Sequence, residues 1–298
     1  MSEPRLFGVL VTYRRPRDLE RTLDALSKQD RRLDALVVVD NDPTTETERI
    51  VRASTDAGGA VRYLPMGENA GYPGGLAAGT DALMSEAADD DWIAVLDDDD
   101  PPDGDAVLGD LMRFAVAATA RDARTAAVGL RGARFDRRRG LLARVPTREI
   151  GFAVPVDCIA GNAIPLYLVG ALRKAGTFSA PLFFSHEELD LGLRLQAAGH
   201  ALYADGTQWA ARRRRNDRPD DVREERRGIL EPNWRSYYSL RNAIYILRVN
   251  GRGASALRIS LGRGFGKPLL NLPLAPRKAA RALALNARAC ADAWRGKL

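Results

Sequence analysis

Short apolar runs alternate with segments of helical character along the first hundred residues, and this alternation restricts the possible folds more than any other feature. The runs are LFGVLVTY (6–13), ALVVVDND (35–42), VRYLPM (61–66) and WIAVLD (92–97). A helical pattern follows each of the first three; after the first it opens at Pro16, with leucines at positions 19, 23 and 26. The pattern predicts an α/β fold with a doubly wound, mostly parallel sheet and helices on both faces.

Chain length and cysteine content set further bounds. With 298 residues, 45% of them hydrophobic, the chain can bury the core of one large α/β domain or of a domain with an appendage. Its two cysteines, Cys158 and Cys290, give neither a disulfide framework nor a zinc-ligand spacing, which indicates a reducing cytoplasm. We expect no secretion signal, because a strand begins almost at once. No run approaches the roughly 18 apolar residues of a membrane span.

Positive charge is concentrated at the C-terminus. Residues 252–298 contain ten Arg and Lys and one acid, Asp292, for a net charge of +9. Because the whole chain carries +6, residues 1–251 carry −3. The basic character is therefore a property of the tail, not of the body of the chain.

Polar residues stand at the carboxyl ends of three predicted strands. These residues are Thr12, Asp40 and the aspartates from Asp97 onward. Ligands bind beyond the carboxyl ends of the strands in doubly wound sheets, so these side chains are candidates for a binding site. A lone aspartate such as Asp40 also serves as a turn former or helix cap, and that alternative stays open here.

The four consecutive aspartates 97–100 need a positive partner. They directly follow the apolar strand WIAVL, and Pro101 and Pro102 stiffen the backbone after them. Neighbouring carboxylates repel one another, and ions beside a core are costly without compensation. Carboxylates held close together on a rigid turn suit Mg²⁺ or Mn²⁺, so a metal site is favoured over a bare acidic turn.

A glycine-rich stretch, GENAGYPGGLAAGTDALM (67–84), lies between the third and fourth strands. Its glycines at 71, 74, 75 and 79 leave the backbone free to approach a ligand, and a helix is predicted over the following LAAGTDALM. The spacing departs from both the dinucleotide fingerprint and the Walker motif, which argues against an NAD enzyme or a P-loop ATPase.

A second acidic group occurs in the segment LFFSHEELDLGLRLQAAGHALY (182–203). Its leucines predict a helix from about Glu187, with Glu187 and Glu188 in the first turn. Acidic residues there complement the helix dipole, and that explanation is as good as a functional one for this segment alone. Combined with a metal-binding turn, however, a second carboxylate supplies what a transfer reaction needs to remove a proton from an incoming hydroxyl.

Six segments in order resemble a known enzyme family. They are VLVTYRRP, VVVDND, NAGYPGG, VLDDDD, HEELDLGLRL and YYSLRNAIYIL, and they span about residues 5 to 250. Together they resemble a family 2 inverting glycosyltransferase with a GT-A fold. The most similar branch is the bacterial one that contains galactofuranosyltransferases and rhamnosyltransferases.

The resemblance implies roles for individual residues at the predicted strand ends. Thr12 and Asp40 would contact the base and ribose of a nucleotide sugar. The following residues would line the nucleotide-sugar pocket: Asn69, Gly71, Gly74 and Gly75. Asp97 and Asp99 match the family's metal-binding Asp-x-Asp and would hold Mn²⁺ or Mg²⁺, with Asp98 near the ribose or the sugar.

The catalytic base of the family falls on Glu188, with Glu187 as the alternative. Many relatives place a histidine near the metal in the strand after the base helix, but here that region reads ALYADGTQWAARRRRND and has none. Either the metal keeps an extra water, or arginines 212–215 hold part of the diphosphate. A solvated basic loop explains those arginines equally well.

The resemblance also predicts how the chain is divided. Residues 1–250 would form the GT-A domain, with a nucleotide-sugar-binding half over about 1–130 and an acceptor-binding half over about 131–250. Residues 251–298 would form a basic helical tail. A basic amphipathic terminal helix suits the anionic inner face of a membrane, and a core-packing or oligomerising helix is the alternative. With little aromatic interleaving, we expect no nucleic-acid partner.

The predicted reaction is metal-dependent, inverting transfer from a UDP-galactofuranose or dTDP-rhamnose type of donor to a hydroxyl of a glycan or glycolipid. Such a reaction belongs to cell-wall or polysaccharide biosynthesis, in the cytoplasm or peripherally on the plasma membrane. Two alternatives remain: a sugar nucleotidyltransferase, and a nucleotide-sugar-binding protein without turnover. The first is disfavoured because VTYRRPRD lacks the glycine-rich signature that those enzymes carry after the first strand.

Overall fold

A computed structural model describes residues 3–56, 60–215 and 232–298. The chain divides into two compact units. Unit 1 comprises residues 1–134, 145–180 and 188–217, and unit 2 comprises residues 135–144, 181–187 and 218–298. Each unit is described by itself below.

The described residues form the following elements. The strands are β1 (Leu6–Thr12), β2 (Ala35–Asp40), β3 (Val61–Pro65), β4 (Trp92–Asp97), β5 (Thr125–Gly129), β6 (Arg134–Asp136), β7 (Leu141–Ala143), β8 (Ala153–Val156), β9 (Leu166–Leu168) and β10 (Ala201–Asp205). The helices are α1 (Pro16–Ser27), α2 (Thr45–Asp56), α3 (Gly71–Met84), α4 (Val107–Arg121), α5 (Val169–Ala175), α6 (Glu187–Ala197), α7 (Gly206–Arg215), α8 (Trp234–Val249), α9 (Gly253–Ile259), α10 (Lys267–Leu270) and α11 (Pro276–Arg295).

The core of unit 1 is an eight-stranded sheet in the order β3-β2-β1-β4-β9-β5-β10-β8. The first four strands in that order are parallel, as are β5 and β10, whereas β9 and β8 run antiparallel to their neighbours. The predicted α/β fold with a mostly parallel sheet is therefore confirmed. All four predicted strands are present, and α1 begins at Pro16 as its sequence indicates.

Strand register brings the predicted polar strand ends together. Thr12 pairs with Asp40 across β1 and β2, and Val11 pairs with Asp97 across β1 and β4. The three strands are buried along almost their whole length, since each is a run of aliphatic residues covered on both faces. Thr12, Asp40 and Asp97 consequently lie at one edge of the sheet.

The glycine-rich stretch differs from its prediction, because α3 begins at Gly71 rather than after the glycines. Gly71 has a φ of 73°, which is accessible to glycine at little cost and opens the helix. A Cβ on Gly75 would lie 2.7 Å from a methyl carbon of Val11, and one on Gly79 would lie 2.3 Å from Val9. These two glycines let α3 pack closely on β1.

The arginine-rich segment after β10 is also different, since it forms α7 instead of a loop. Asp205 caps this helix, accepting hydrogen bonds from the backbone N–H groups of Thr207 (2.9 Å) and Gln208 (3.1 Å). On the helix, Arg213 donates to the carbonyl of Val145 at 2.8 Å and lies over the ring of Trp209. The cap and these contacts account for the helical conformation, which could not be predicted from a run of four arginines.

Unit 2 is built around the packing of α8 against α11. The Tyr237 hydroxyl on α8 donates to the Asp292 carboxylate on α11 at 2.6 Å. The buried face of α11 is made largely of alanines, at positions 279, 282, 289 and 293. Because α8 groups with the C-terminal helices, the compact unit does not follow the boundary predicted at residue 250. Within the described ranges, none of the helices combines the length and the apolar character needed to span a membrane.

Candidate active site

Asp98 is the most firmly held carboxylate of the acidic turn that follows β4. The Thr12 hydroxyl donates to its Oδ2 at 2.9 Å, and Arg15 donates to its Oδ1 at 3.2 Å. Thr22 donates to its backbone carbonyl at 2.9 Å. Burial raises the pKa of Asp98, while the bonds from Thr12 and Arg15 oppose that rise. Asp98 therefore fixes the turn to the end of β1.

Asp97 lies in a different electrostatic environment. Its Oδ1 accepts a hydrogen bond from the Tyr72 hydroxyl at 2.8 Å. Burial raises the pKa of Asp97 to about 6, the charges of the three following aspartates raise it further, and the bond from Tyr72 partly opposes this. The negative charge of this carboxylate is thus poorly compensated, and a bound cation would stabilise its ionised form.

The fit of a divalent metal can be judged from these oxygens. Asp97 and Asp99 offer the carboxylate ligands that Mg²⁺ and Mn²⁺ prefer, and Asp99 is exposed and forms an ion pair with Arg15. The residues present fit a cation whose remaining ligands come from a bound donor or from water. Over the parts of the chain that are described, no cluster of three or more His, Cys, Asp or Glu side chains forms a metal site by itself.

Glu188 occupies the first turn of α6, as predicted. Its Oε1 accepts a hydrogen bond from the backbone N–H of Gly161 at 2.9 Å. Burial raises the pKa of Glu188, the backbone bonds oppose the rise, and the charge of Asp97 adds to it. A raised pKa makes this carboxylate a stronger base than a solvated glutamate.

Gly161 marks the point where these groups converge. A Cβ built on Gly161 would lie 3.0 Å from the Tyr72 hydroxyl and 3.4 Å from both Asp97 Oδ1 and Glu188 Oε1. The three groups come from α3, β4 and α6, far apart in sequence. Two carboxylates with raised pKa values and a phenol therefore surround one small region beside the carboxyl ends of the strands.

Asp40 is completely buried, and its side chain is occupied by local bonds. It accepts from the Tyr63 hydroxyl at 2.9 Å and from the backbone N–H of Asp42 at 3.0 Å. Burial and the bond to Asp40 raise the pKa of Tyr63. These contacts correspond to the turn-forming role that the sequence left open. The predicted contact with a ribose stays a prediction.

The next residue, Asn41, was not singled out from sequence. Its Nδ2 donates to the carbonyl of Gly71 at 3.0 Å, which connects β2 to the start of α3. No group among the described residues donates to its buried Oδ1. The amide therefore presents an unsatisfied acceptor at the predicted edge of the site.

Asn69 and Gly74, both predicted to line the pocket, have structural contacts of their own. The exposed Asn69 accepts from the backbone N–H of Gly71 at 3.0 Å and so holds the first turn of α3. A Cβ on Gly74 would lie 2.7 Å from that of Ala70. These contacts explain the residue types at 69 and 74 and leave nucleotide binding as a prediction.

Besides Asn41, three site residues were missed at the sequence level. Tyr72 lies inside the glycine-rich stretch, where only the glycines drew attention, and Arg15 belongs to the strand-end segment VTYRRP. A phenol inside a predicted ligand-binding stretch and a cation directly after a predicted strand end were signals that could have identified them. Gly161 carried no such signal, because its role depends on a backbone N–H that tertiary contacts bring to Glu188.

The architecture is the fold of the GT-A glycosyltransferases. The structure is similar to that of GalNAc-T7 with UDP, GalNAc and Mn²⁺, with a TM-score of 0.59 and 14% identity over 83% of this chain and 48% of that one. It is also similar to the mannosyltransferase PcManGT from Pyrobaculum calidifontis in complex with GDP-Man and Mn²⁺, with a TM-score of 0.51 and 18% identity over 100% and 88% of the two chains. At these identities the likeness shows the fold.

Sequence comparison shows which proteins the chain is similar to. Residues 9–152, slightly less than half of the chain, match the family model Glycosyl transferase family 2. It is 32% identical over 204 residues to the galactofuranosyltransferase GlfT1 of Mycolicibacterium smegmatis, covering 64% of this chain and 65% of the relative. Identity to GlfT1 of Mycobacterium tuberculosis is 30% over 204 residues, 65% of each chain. The match thus spans slightly less than two thirds of these relatives. The predicted resemblance to the galactofuranosyltransferase branch is confirmed.

Proposed function

We propose that this protein transfers a sugar from a nucleoside diphosphate donor to a hydroxyl of a glycan or lipid-linked acceptor, with inversion at the anomeric carbon. The observation that carries the proposal is the convergence of Tyr72, Asp97 and Glu188 around Gly161. The family match and the GT-A fold support the same reaction.

Glu188 is proposed as the general base. Its carboxylate is held by the N–H of Gly161, which leaves Oε2 to accept the proton of an acceptor hydroxyl. Burial raises its pKa, so proton uptake is favoured more than in water. The acceptor oxygen then forms a bond to the anomeric carbon as the bond to the diphosphate breaks, and the proton ends on Glu188.

Asp97 and Asp99 are proposed to hold Mn²⁺ or Mg²⁺ together with the donor's diphosphate. When bound, the cation would neutralise charge on the departing diphosphate. Tyr72 keeps Asp97 oriented, and Arg15 adds positive charge on the same turn through its contacts with Asp98 and Asp99. Both solved relatives described above contain Mn²⁺, which supports a divalent cation here. No histidine is needed in this proposal, because water can complete the metal's ligand set.

The donor is proposed to be a uridine diphosphate sugar with galactofuranose as the transferred group. The curated relatives are galactofuranosyltransferases, which favours this donor over a dTDP-rhamnose type. Thr12, Asp40 and Asn69 remain the proposed contacts to the nucleotide sugar, with Gly71, Gly74, Gly75 and Asp98 lining its pocket. We place the reaction in cell-wall or polysaccharide synthesis, in the cytoplasm or at the inner face of the plasma membrane.

A donor screen tests the proposal most directly. Thermal unfolding with Mn²⁺ and a panel of UDP, GDP and dTDP sugars should show the largest stabilisation with UDP-galactofuranose. Transfer to a glycan acceptor should follow with the same donor. Binding of a nucleotide sugar without transfer or hydrolysis would instead support the non-catalytic alternative, and pyrophosphate-dependent formation of a nucleotide sugar would support a nucleotidyltransferase.

The assignment of the base has a matched control in the neighbouring residue. Glu188→Gln keeps the side-chain shape and removes the basicity, so the transfer rate should fall by at least about 100-fold with donor affinity nearly unchanged. Glu187→Gln should have a much smaller effect. If the two substitutions reversed in severity, the base would be Glu187, and if neither slowed transfer, the acidic pair would only complement the dipole of α6.

A further inference from the structure

Exposed leucines are concentrated in the C-terminal part of unit 2. Six of them lie close together in sequence, from α9 to the start of α11, and we term this set the leucine surface: Leu257, Leu261, Leu269, Leu270, Leu272 and Leu274. The most exposed are Leu270 at 80% and Leu274 at 83% of their full accessible area. Leaving such side chains in water is unfavourable in free energy. Several highly exposed leucines in one short part of a folded protein therefore indicate a surface that binds a partner.

The backbone around the most exposed leucines is well defined. The N–H groups of Leu272 and Leu274 donate to the carbonyls of Leu269 and Asn271, each at 3.1 Å. The Asn271 side chain donates to the carbonyl of Lys267 at 2.8 Å. The turn between α10 and α11 therefore has its own hydrogen bonds and presents the leucines outward from a folded segment.

The charge around the leucine surface has one sign. Exposed cations flank it on both sides along the chain: Arg258, Lys267, Arg277, Lys278 and Arg281. No acidic residue occurs in the sequence between Glu231 and Asp292. Two copies of such a surface would repel each other, whereas an apolar layer beneath anionic head groups would match both the leucines and the cations.

The exposed apolar residues of the tail are not in the element that the sequence predicted to face a membrane. The prediction placed the apolar face on the terminal helix, but α11 packs against α8 and its apolar residues, among them Ala279 and Ala289, are buried. The exposed leucines instead lie before α11. A tail helix packed into unit 2 cannot also turn that face toward lipid.

We propose that the leucine surface is a docking site for a bilayer that contains anionic phospholipid. Leu270 and Leu274 enter the apolar layer, and Lys267 and Arg277 contact the head groups. This inference goes beyond the proposed glycosyl transfer and does not depend on it, since it concerns binding in the absence of any substrate.

Vesicle flotation of the full chain tests the proposal. The wild-type protein should float with vesicles of phosphatidylcholine and phosphatidylserine, and the fraction bound should fall with phosphatidylcholine alone or with added salt. The double substitution Leu270→Asp/Leu274→Asp should reduce the binding constant at least about tenfold, and Lys267→Glu/Arg277→Glu should also weaken binding. The control is Val116→Asp, which places one aspartate at an exposed apolar position in unit 1 and should bind as the wild type does.

Two outcomes would overturn the proposal. One is equal vesicle binding by the wild type and the double leucine variant. The other is that the wild-type protein does not bind vesicles but forms dimers, as measured by analytical ultracentrifugation, and that the leucine substitutions make it monomeric. Circular dichroism of each variant establishes that it is folded. Transfer to a water-soluble acceptor, measured in parallel, would keep its wild-type rate in the leucine variant and so separates this test from that of the proposed function.

Discussion

The two units of the chain differ in which side chains they expose to solvent and in how well their charges are compensated. Among the described residues, unit 1 leaves only three large hydrophobic side chains exposed (Tyr13, Val116 and Phe152), whereas unit 2 leaves eleven exposed. Unit 1 instead has uncompensated negative charge at two half-buried carboxylates, Asp97 and Glu188. The difference is consistent with the two proposals made above, in which unit 1 binds a charged small molecule and unit 2 docks on a membrane surface.

Their buried polar groups differ as well. The acidic turn of unit 1 is only partly compensated, because Asp97 has a single described hydrogen bond and a raised pKa. In unit 2 the Asn242 side chain donates to the carbonyls of Leu182, Phe184 and Ser185, at 3.0, 2.8 and 2.9 Å. One polar cluster is incomplete without a ligand, and the other is satisfied by the chain itself.

The largest effect should follow from loss of a proposed metal ligand. Asp99→Ala should abolish metal-dependent donor binding while the protein stays folded, because it removes an exposed carboxylate with one ion pair. Calorimetric titration of the donor with Mn²⁺ measures this, and Asp105→Ala on the exposed surface is the control. Wild-type transfer that is undiminished by EDTA would contradict the metal assignment.

A large stability effect is expected from Asn242→Ala in unit 2. The loop that Asn242 holds contains three non-glycine residues with positive φ, Phe183 (60°), Ser185 (72°) and His186 (72°), just before α6. Removing the amide leaves the carbonyls of Phe184 and Ser185 without this donor, which should cost about 2–3 kcal/mol in the free energy of unfolding. Urea denaturation measures the change.

Asn250→Ala is the control for this substitution, since Asn250 donates only to the carbonyl of Ile246 on its own helix. We also expect Asn242→Ala to lower the transfer rate more than donor affinity, because the loop leads directly into Glu188. A change in unfolding free energy equal to that of Asn250→Ala would show that the loop holds its conformation without the amide.

A smaller effect of opposite sign is expected from Asp97→Asn. The folded-state pKa of about 6 lies above the ordinary value of 3.8, so ionisation of Asp97 opposes folding. This cost is absent below about pH 4, grows between about pH 4 and 6, and is fully present above about pH 6. The substitution should therefore stabilise the metal-free protein at pH 8 by about 1–2 kcal/mol, with the gain vanishing toward pH 4.

Thermal unfolding across that pH range, without metal, measures the gain. The same variant should lose metal-dependent donor binding at every pH. Destabilisation at pH 8 would mean that the bond from Tyr72 contributes more than burial of the charge and repulsion among the aspartates together cost. The comparison between the two units would then lose its electrostatic basis.

The sequence by itself determined four of the eight strands of the sheet and the positions of their polar ends. Aliphatic runs of strand length are typical of buried parallel strands, so β1, β2 and β4 could be predicted from local pattern, and the half-exposed β3 from its place in the alternation of strands and helices. The acidic turn after β4 was equally readable, because carboxylates at the end of a buried strand need compensation. The first turn of α6, with Glu187 and Glu188, followed from helical periodicity.

Only the tertiary structure decided which groups meet. Tyr72, Gly161 and Glu188 come together because α3, a short turn and α6 reach the same strand ends, and no local pattern encodes such long-range proximity. The same reason explains the two corrected segments. Capping by Asp205 fixes α7, and close packing on Val9 and Val11 fixes the glycines of α3 inside a helix. The burial of α11 likewise depends on α8, so the exposed leucines could be located only after the helices had packed.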